Sequence, residues 1–170
     1  MPTGLKQSSS VVSIGFSVSE AAPNTFTQTS VDLNLSPLDR EVFVVLAVNL
    51  DSGAPDALAG INTAIRSGLT TTSQTAIPSL ADANCLSQLS QDIRAAGFAD
   101  GGVAFVSQAL ETPPSTLDYI GIIATNDFFI QVEGVNNIAP RGMTGRMYGA
   151  RARADASIYA ALVQSEVLSS

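Results

Sequence analysis

Histidine and tryptophan are missing from this 170-residue chain, and cysteine occurs once. Without histidine, the chain cannot form a Ser-His or Cys-His nucleophile or a histidine-ligated metal site. A single cysteine also excludes an intrachain disulfide and a cysteine-rich zinc site. A pair of carboxylates is the enzymatic option that needs none of these residues, and it is the weakest of the three functions that the sequence suggests.

Charge is scarce as well, since only 14% of the residues are charged, compared with about 25% in an average soluble domain. The apolar content of 45% is ordinary, so uncharged polar residues make up the difference. With 8 basic and 15 acidic residues, the net charge is -7. A weakly charged surface offers little repulsion against close packing. This composition fits a protein that packs among copies of itself or works outside cells, and it equally fits an acidic soluble domain.

The length predicts one domain. We expect residues 1–9 to form a flexible N-terminal arm and residues 10–170 to form a single domain with a C-terminal helical tail. The longest apolar run, Val42–Val48, is far shorter than the roughly 20 residues of a membrane-spanning helix. The N-terminus has no charged segment followed by an apolar one, so no signal peptide is predicted. We therefore expect a cytoplasmic protein, or a virion protein if the viral interpretation below holds.

The first third of the chain is rich in strand patterns. Val12–Val18 alternates apolar residues with small or polar ones, which is typical of a half-buried strand. Thr25–Leu35 is rich in β-branched residues, and Glu41–Leu50 is apolar at both odd and even positions. The latter pattern predicts a central strand that is covered on both faces. With a turn at Ser36–Asp39, residues 25–50 are predicted to form an antiparallel hairpin.

The middle of the chain shows a different period. Residues 57–68 fit either a short helix or a strand. Beyond them, apolar residues spaced by 3, 4 and 3 positions predict one face of a helix. These residues are Leu86, Leu89, Ile93 and Ala96. Asp82 is its expected N-cap and Gly97 its expected C-terminal glycine.

The last third predicts further strands and a second helix. The strands are expected at Val103–Val106, Leu117–Ala124, Phe128–Glu133 and Arg146–Arg153. Asp155 is expected to cap a helix that runs to Leu168. Seven or eight strands with one or two short helices predict a mainly β fold, an antiparallel, jelly-roll-like β-sandwich. The alternative is a mixed α/β fold, which needs a regular strand–helix alternation that the sequence lacks.

No residue is predicted to be catalytic, cofactor-binding or metal-ligating, and we expect neither an enzyme nor a cofactor. The 15 carboxylates form no recognisable motif, although an adventitious calcium site in a loop stays open. Gly142–Gly145 lacks the Lys-Ser/Thr of a phosphate-binding loop. Cys85 is expected to be a buried, inert thiol. The tyrosines and the Phe128-Phe129 pair are expected to be core or interface anchors.

Four of the eight basic residues lie in the last thirty positions, and they are Arg141, Arg146, Arg151 and Arg153. Convergent arginines could contact phosphates or an acidic neighbouring subunit. Because the chain is acidic, with a pI of about 4.3, we favour salt bridges within or between subunits and expect little nucleic-acid binding.

Two stretches carry a family resemblance: residues 117–132, LDYIGIIATNDFFIQV, and residues 152–166, ARADASIYAALVQSE. Over roughly residues 100–170 the chain resembles small virion structural proteins of microbial viruses, of the jelly-roll capsid type. The resemblance carries no functional residue across. It implies a subunit that assembles symmetrically into a shell and catalyses no reaction.

Two functional hypotheses follow. The first is a self-assembling structural subunit, such as a capsid or virion protein, whose partners are copies of itself and, under the viral interpretation, other virion proteins. The alternative is a β-sandwich module that binds carbohydrate or another surface ligand. That alternative needs exposed aromatic residues or a calcium-linked loop, and the aromatic content is only 6%.

Overall fold

The structure is a computed structural model, and it describes residues 1–97, 105–110 and 116–169. The described residues form ten strands and one helix. They are β1 Leu5–Gln7, β2 Val12–Ser19, β3 Thr27–Asp32, β4 Glu41–Asp51, β5 Thr63–Thr70, β6 Cys85–Arg94, β7 Phe105–Leu110, β8 Gly121–Ile123, β9 Asp127–Val135, β10 Gly142–Ala154 and α1 Ala156–Ser169.

The strands form two antiparallel sheets that pack into a sandwich, which confirms the predicted fold class. The first sheet has the order β2-β10-β4-β8. The short strand β1 also pairs with β10, on the same side as β2 but further along β10. The second sheet has the order β3-β9-β5-β6-β7. β4 lies between β10 and β8, as its apolar pattern predicted.

The pairing of strands is nested along the sequence. β2 pairs with β10, β3 with β9, β4 with β8, and β5 with β6. This order arises when one long hairpin folds over itself and its strands are shared between two sheets. It is the jelly-roll-like arrangement that the sequence predicted.

The main core lies between the two sheets. It is built from Phe43 and Val45 of β4, Met143 and Met147 of β10, and apolar residues of β5 and β9. Phe16 packs edge-to-face on Phe128, with ring centroids 5.7 Å apart. The interior positions are filled by side chains, as in a small sandwich of this kind.

A second, smaller core covers the outer face of the first sheet. Val42 and Val44 alternate with the main-core residues of β4 and point to this face, together with alanines of β10. Ile158, Tyr159, Leu162 and Val163 of α1 pack against them. The helix therefore explains why β4 is apolar at both odd and even positions.

The predicted hairpin of residues 25–50 is wrong. β3 and β4 belong to different sheets, and each pairs with strands about 75 or more residues further along the sequence. The turn between them, at Pro37–Arg40, carries the chain from one sheet to the other. A local turn signal cannot distinguish such a crossing from a hairpin, because both need the same turn residues.

The predicted helix after Asp82 is also wrong, since residues 85–94 form β6. Ser87, Leu89 and Ile93 are buried and share one face of the strand with Gln91. The polar Ser and Gln at these positions hid the period of two, while Leu86 contacts the main core and imitates a helical spacing.

Residues 57–68, for which the sequence allowed either a helix or a strand, lead into the strand β5. The C-terminal helix is confirmed, and Asp155 directly precedes it. Residues 5–7 of the expected N-terminal arm form β1, which pairs with β10. The predicted strand at Val103–Val106 lies largely outside the described residues. Among those described, no helix has the length and apolar character to cross a membrane.

Candidate interaction surface

One end of the sandwich, which we call the helix end, combines α1 with three chain segments. These segments are the β3–β4 connection (residues 33–40), the β5–β6 connection (71–84) and the β8–β9 connection (124–126). Glu166 ties α1 to this end. Its Oε1 and Oε2 accept hydrogen bonds from the backbone N–H groups of Ala124 (2.7 Å) and Thr125 (3.0 Å). Because Glu166 is only 8% exposed, this contact fixes the C-terminal half of α1.

The outward face of α1 carries no charge. Glu166 is the only charged residue between Ala156 and Ser169, and it points inward. The exposed positions are Ala156, Ser157, Ala160, Ala161, Gln164, Ser165, Val167 and Leu168. Val167 and Leu168 are 60% and 75% exposed. A helix that is largely apolar all round is usually covered on both sides, and the centre of a protein interface is depleted of charge.

A cavity of about 420 Å³ opens between α1 and the β3–β4 and β8–β9 connections. Its lining is mostly apolar and consists of Leu35, Pro37, Ala124, Thr125, Asn126, Tyr159 and Val163. A mostly apolar lining with a few polar groups is typical of a site that accepts an apolar group. We call it the α1 cavity.

The turn beside the α1 cavity exposes Leu38, whose accessible fraction of 95% is the largest among the described large apolar side chains. The turn itself is rigidly held. Two backbone hydrogen bonds close it, from Arg40 N–H to the Pro37 carbonyl and from Glu41 N–H to the Ser36 carbonyl. The Glu41 carboxylate accepts a further bond from the Ser36 N–H.

Two neighbouring side chains fix the segment that leads into this turn. The Arg151 guanidinium donates to the carbonyls of Leu33 and Asn34 and pairs with Glu41 at 3.1 Å. The Asn126 side-chain oxygen accepts a bond from the Leu35 N–H. Leu38 therefore projects from an ordered support and not from a loose loop.

Two like-charged pairs lie at the helix end. Lys6 of β1 is directly opposite Arg153 of β10, and Asp32 of β3 is directly opposite Asp127 of β9. In the part of the chain that the structure describes, none of these four residues has an ion-pair partner. Like charges in directly opposite positions destabilise a strand pair. Arg153 is also directly opposite Glu41 of β4, but Glu41 is paired with Arg151, so positive charge stays in excess there. Both pairs would therefore gain from an opposite charge brought by a neighbour.

The four C-terminal arginines do not converge. Arg141 pairs with Asp56 and Arg151 pairs with Glu41, as salt bridges within the chain. Arg146 and Arg153 stand seven positions apart on β10, which is about 20 Å of strand. The described residues therefore show no convergent phosphate-binding group of these arginines.

Cys85 and the Gly142–Gly145 segment, which the sequence singled out as candidate sites, both lie in strands. Cys85 is half-buried at the start of β6, and its thiol donates to the Ser87 carbonyl. Gly142–Gly145 forms the first part of β10 and not a loop. Among residues 1–97, 105–110 and 116–169, no group of three or more His, Cys, Asp or Glu side chains could hold a metal ion.

The opposite end of the sandwich contains a buried polar cluster. Glu20 is 5% exposed, and its carboxylate accepts hydrogen bonds from the N–H groups of Thr25 (2.7 Å), Gly134 (3.0 Å) and Arg141 (2.8 Å). Asn24 and Asn137 exchange two hydrogen bonds beside it. Since these groups satisfy one another, the cluster holds loops together and leaves no open site.

A second cavity of about 230 Å³ lies beside α1 on the second sheet. Phe129, Asp127 and Glu166 line it, with hydroxyl groups of the 71–73 segment and Thr125. An aromatic ring beside acceptor oxygens suits a polar ligand with an apolar face. The volume is below the roughly 300–1,000 Å³ of usual small-molecule sites.

No protein-family model, curated protein or solved structure matches this chain. The sequence analysis identified neither Glu166 nor Leu38. Glu166 had a usable signal, because a lone charge in an otherwise apolar helix must face either water or a buried donor. Leu38 had a weaker one, an apolar residue at the tip of a turn flanked by proline and aspartate.

Proposed function

We propose that this chain is a structural subunit that assembles with copies of itself and catalyses no reaction. The observation that carries the proposal is the uncharged outward face of α1, whose only charged residue is buried against the chain's own backbone. A helix that worked exposed to water would normally carry charge on its outer side. Copies that pack there would bury Val167 and Leu168, which are otherwise exposed.

Within this class, we favour a capsid or other virion protein, located in the virion. The support is the jelly-roll-like strand order, which viral capsid proteins share with lectins and cupins. Because many functions use this architecture, the support comes from analogy of fold together with the surface of α1. Partners are other copies of the chain and, in a virion, other virion proteins.

The first test is the oligomeric state of the purified full chain. Size-exclusion chromatography with light scattering and negative-stain electron microscopy should show defined oligomers or closed particles. A chain that stays monomeric at high concentration would refute the proposal.

A charged variant connects the result to α1. Ala161→Glu puts one charge on the outward face and should weaken association by about tenfold or more, the equivalent of 1.4 kcal/mol. Ala96→Glu makes the same change at an exposed position at the opposite end and should assemble like the wild type. Equal assembly of both variants would exclude α1 as the interface.

The cavity beside Phe129 supports a second candidate, a sandwich module that binds a carbohydrate. Glycan-array binding, followed by calorimetry with any hit, would test it. Binding that is lost in Phe129→Ala, in a protein that remains monomeric, would favour this module over the assembly subunit.

A further inference from the structure

Leu38 and the α1 cavity form a protrusion and a recess at the same end of the molecule. Pro37, the residue next to Leu38, lines the cavity, so the two features are immediate neighbours. We propose that Leu38 of each copy inserts into the α1 cavity of a second copy, in a reciprocal two-fold contact. The inference rests on the proposed function, because it names the surfaces through which copies would bind.

Leu38 and its turn need little rearrangement to bind. Because Leu38 is 95% exposed, its burial in an interface would contribute nearly the whole hydrophobic free energy of a leucine side chain. The turn is already fixed by its own hydrogen bonds and by Arg151 and Asn126. Little conformational freedom is lost when such a pre-ordered segment binds, so more of the burial contributes to affinity.

The recess has matching size and chemistry. Its volume of about 420 Å³ exceeds that of a leucine side chain, and Leu35, Ala124 and Val163 give it apolar walls. Because protrusion and recess adjoin on one subunit, a two-fold axis between two copies places each Leu38 opposite the other copy's cavity. An interface of this type uses the same patch on both partners.

Charge supports the same arrangement. The cationic pair Lys6/Arg153 and the anionic pair Asp32/Asp127 lie at the helix end, on different sheets. Asp32 accepts a hydrogen bond from Asn126, which lines the cavity. Exposed Arg40 follows Leu38 and Asp39 in the turn. A two-fold contact can bring the cationic pair of one copy towards the anionic pair of the other, which relieves both repulsions.

The apolar part is tested by Leu38→Ser, with Ile138→Ser as the matched control. Ile138 is also an exposed apolar residue in a connection between strands, at 71% exposure, but it lies at the opposite end of the sandwich. Sedimentation equilibrium should show association weakened by about tenfold or more for Leu38→Ser and unchanged for Ile138→Ser. Urea midpoints equal to that of the wild type would show that both variants fold.

The charge part is tested by mixing two variants. Asp32→Lys removes the anionic pair, and Lys6→Glu removes the cationic pair, while each creates a favourable cross-strand pair within its own chain. Each variant alone should associate less than the wild type. Their mixture should associate about threefold or more tightly than either alone, because one copy supplies the cations and the other the anions.

The outcomes separate the inference from the function on which it rests. A monomeric wild-type chain overturns both. A wild-type chain that assembles, with Leu38→Ser assembling equally well, overturns the Leu38 contact and leaves the proposed function in place. A mixture no tighter than the single variants overturns the pairing of charges between copies.

Discussion

Glu166 accepts a 2.7 Å hydrogen bond from the backbone N–H of Ala124, forty-two residues earlier in the chain. This contact links the C-terminal half of α1 to the β8–β9 connection, which joins the two sheets. It also removes from the helix surface the only charge that α1 contains. The same residue therefore anchors the helix and leaves its outer face uncharged.

Replacing this anchor should loosen α1. Glu166→Ala removes both acceptors and leaves the buried N–H of Ala124 without a partner, which should lower the free energy of unfolding by about 3 kcal/mol. Urea denaturation measures this change. Gln164→Ala, on the outward face of the same helix, should leave the stability almost unchanged, and an equal loss in both variants would contradict the anchoring role.

The carboxylate at the opposite end should matter for folding and not for assembly. Glu20→Ala removes three hydrogen bonds to a charged, buried group, and we expect a loss of about 3 kcal/mol in the free energy of unfolding. Association of the folded fraction, measured by sedimentation at low temperature, should equal that of the wild type. Weakened association would place part of the interface at the Glu20 end.

Asp32 and Asp127, which lie directly opposite each other, should lower the free energy of unfolding of the isolated chain. Asp127→Asn relieves the repulsion from Asp32 and should raise the free energy of unfolding by about 0.2–1 kcal/mol, with the larger gain at low salt. Thermal and urea unfolding at two salt concentrations would measure it. If the anionic pair also serves the contact between copies, the same variant should associate more weakly, so the two effects have opposite signs.

The first sheet should not tolerate a side chain at Gly149, where the pairing of β4 with β10 is irregular. The pairing of β4 with β10 shifts register between Tyr148 and Gly149, and a Cβ at Gly149 would overlap the Phe43 ring and the Val44 carbonyl oxygen. Gly149→Ala should therefore destabilise the chain by about 1–3 kcal/mol.

Gly15→Ala is the matched control for this prediction. Gly15 lies on β2 in the same sheet, and a Cβ there would meet no atom within 4 Å. Chemical denaturation should show a much smaller effect for Gly15→Ala than for Gly149→Ala. Equal stability of the two variants would show that the sheet adjusts freely around the bulge.

The sequence predicted elements well where one period dominated. Val12–Val18 alternates and forms β2, and the double apolar pattern of Glu41–Leu50 marks a strand with a core on each face. It failed for β6, because buried Ser87 and the inward Gln91 interrupt the apolar alternation. The candidate surface could be predicted from the sequence only in part, because the composition indicated that charges are few but not where the uncharged face lies.

By itself, the sequence determined that strands dominate, that a C-terminal helix follows β10, and that the chain can form neither a histidine-based site nor an intrachain disulfide. Tertiary structure alone decided that Thr27–Asp32 pairs with Asp127–Val135, that Glu166 turns inward, and that Leu38 stands beside a cavity. The physical reason is that backbone donors and acceptors are alike on every strand. Partners are therefore chosen by which faces the whole chain can bury together, and that choice is made between residues far apart in sequence.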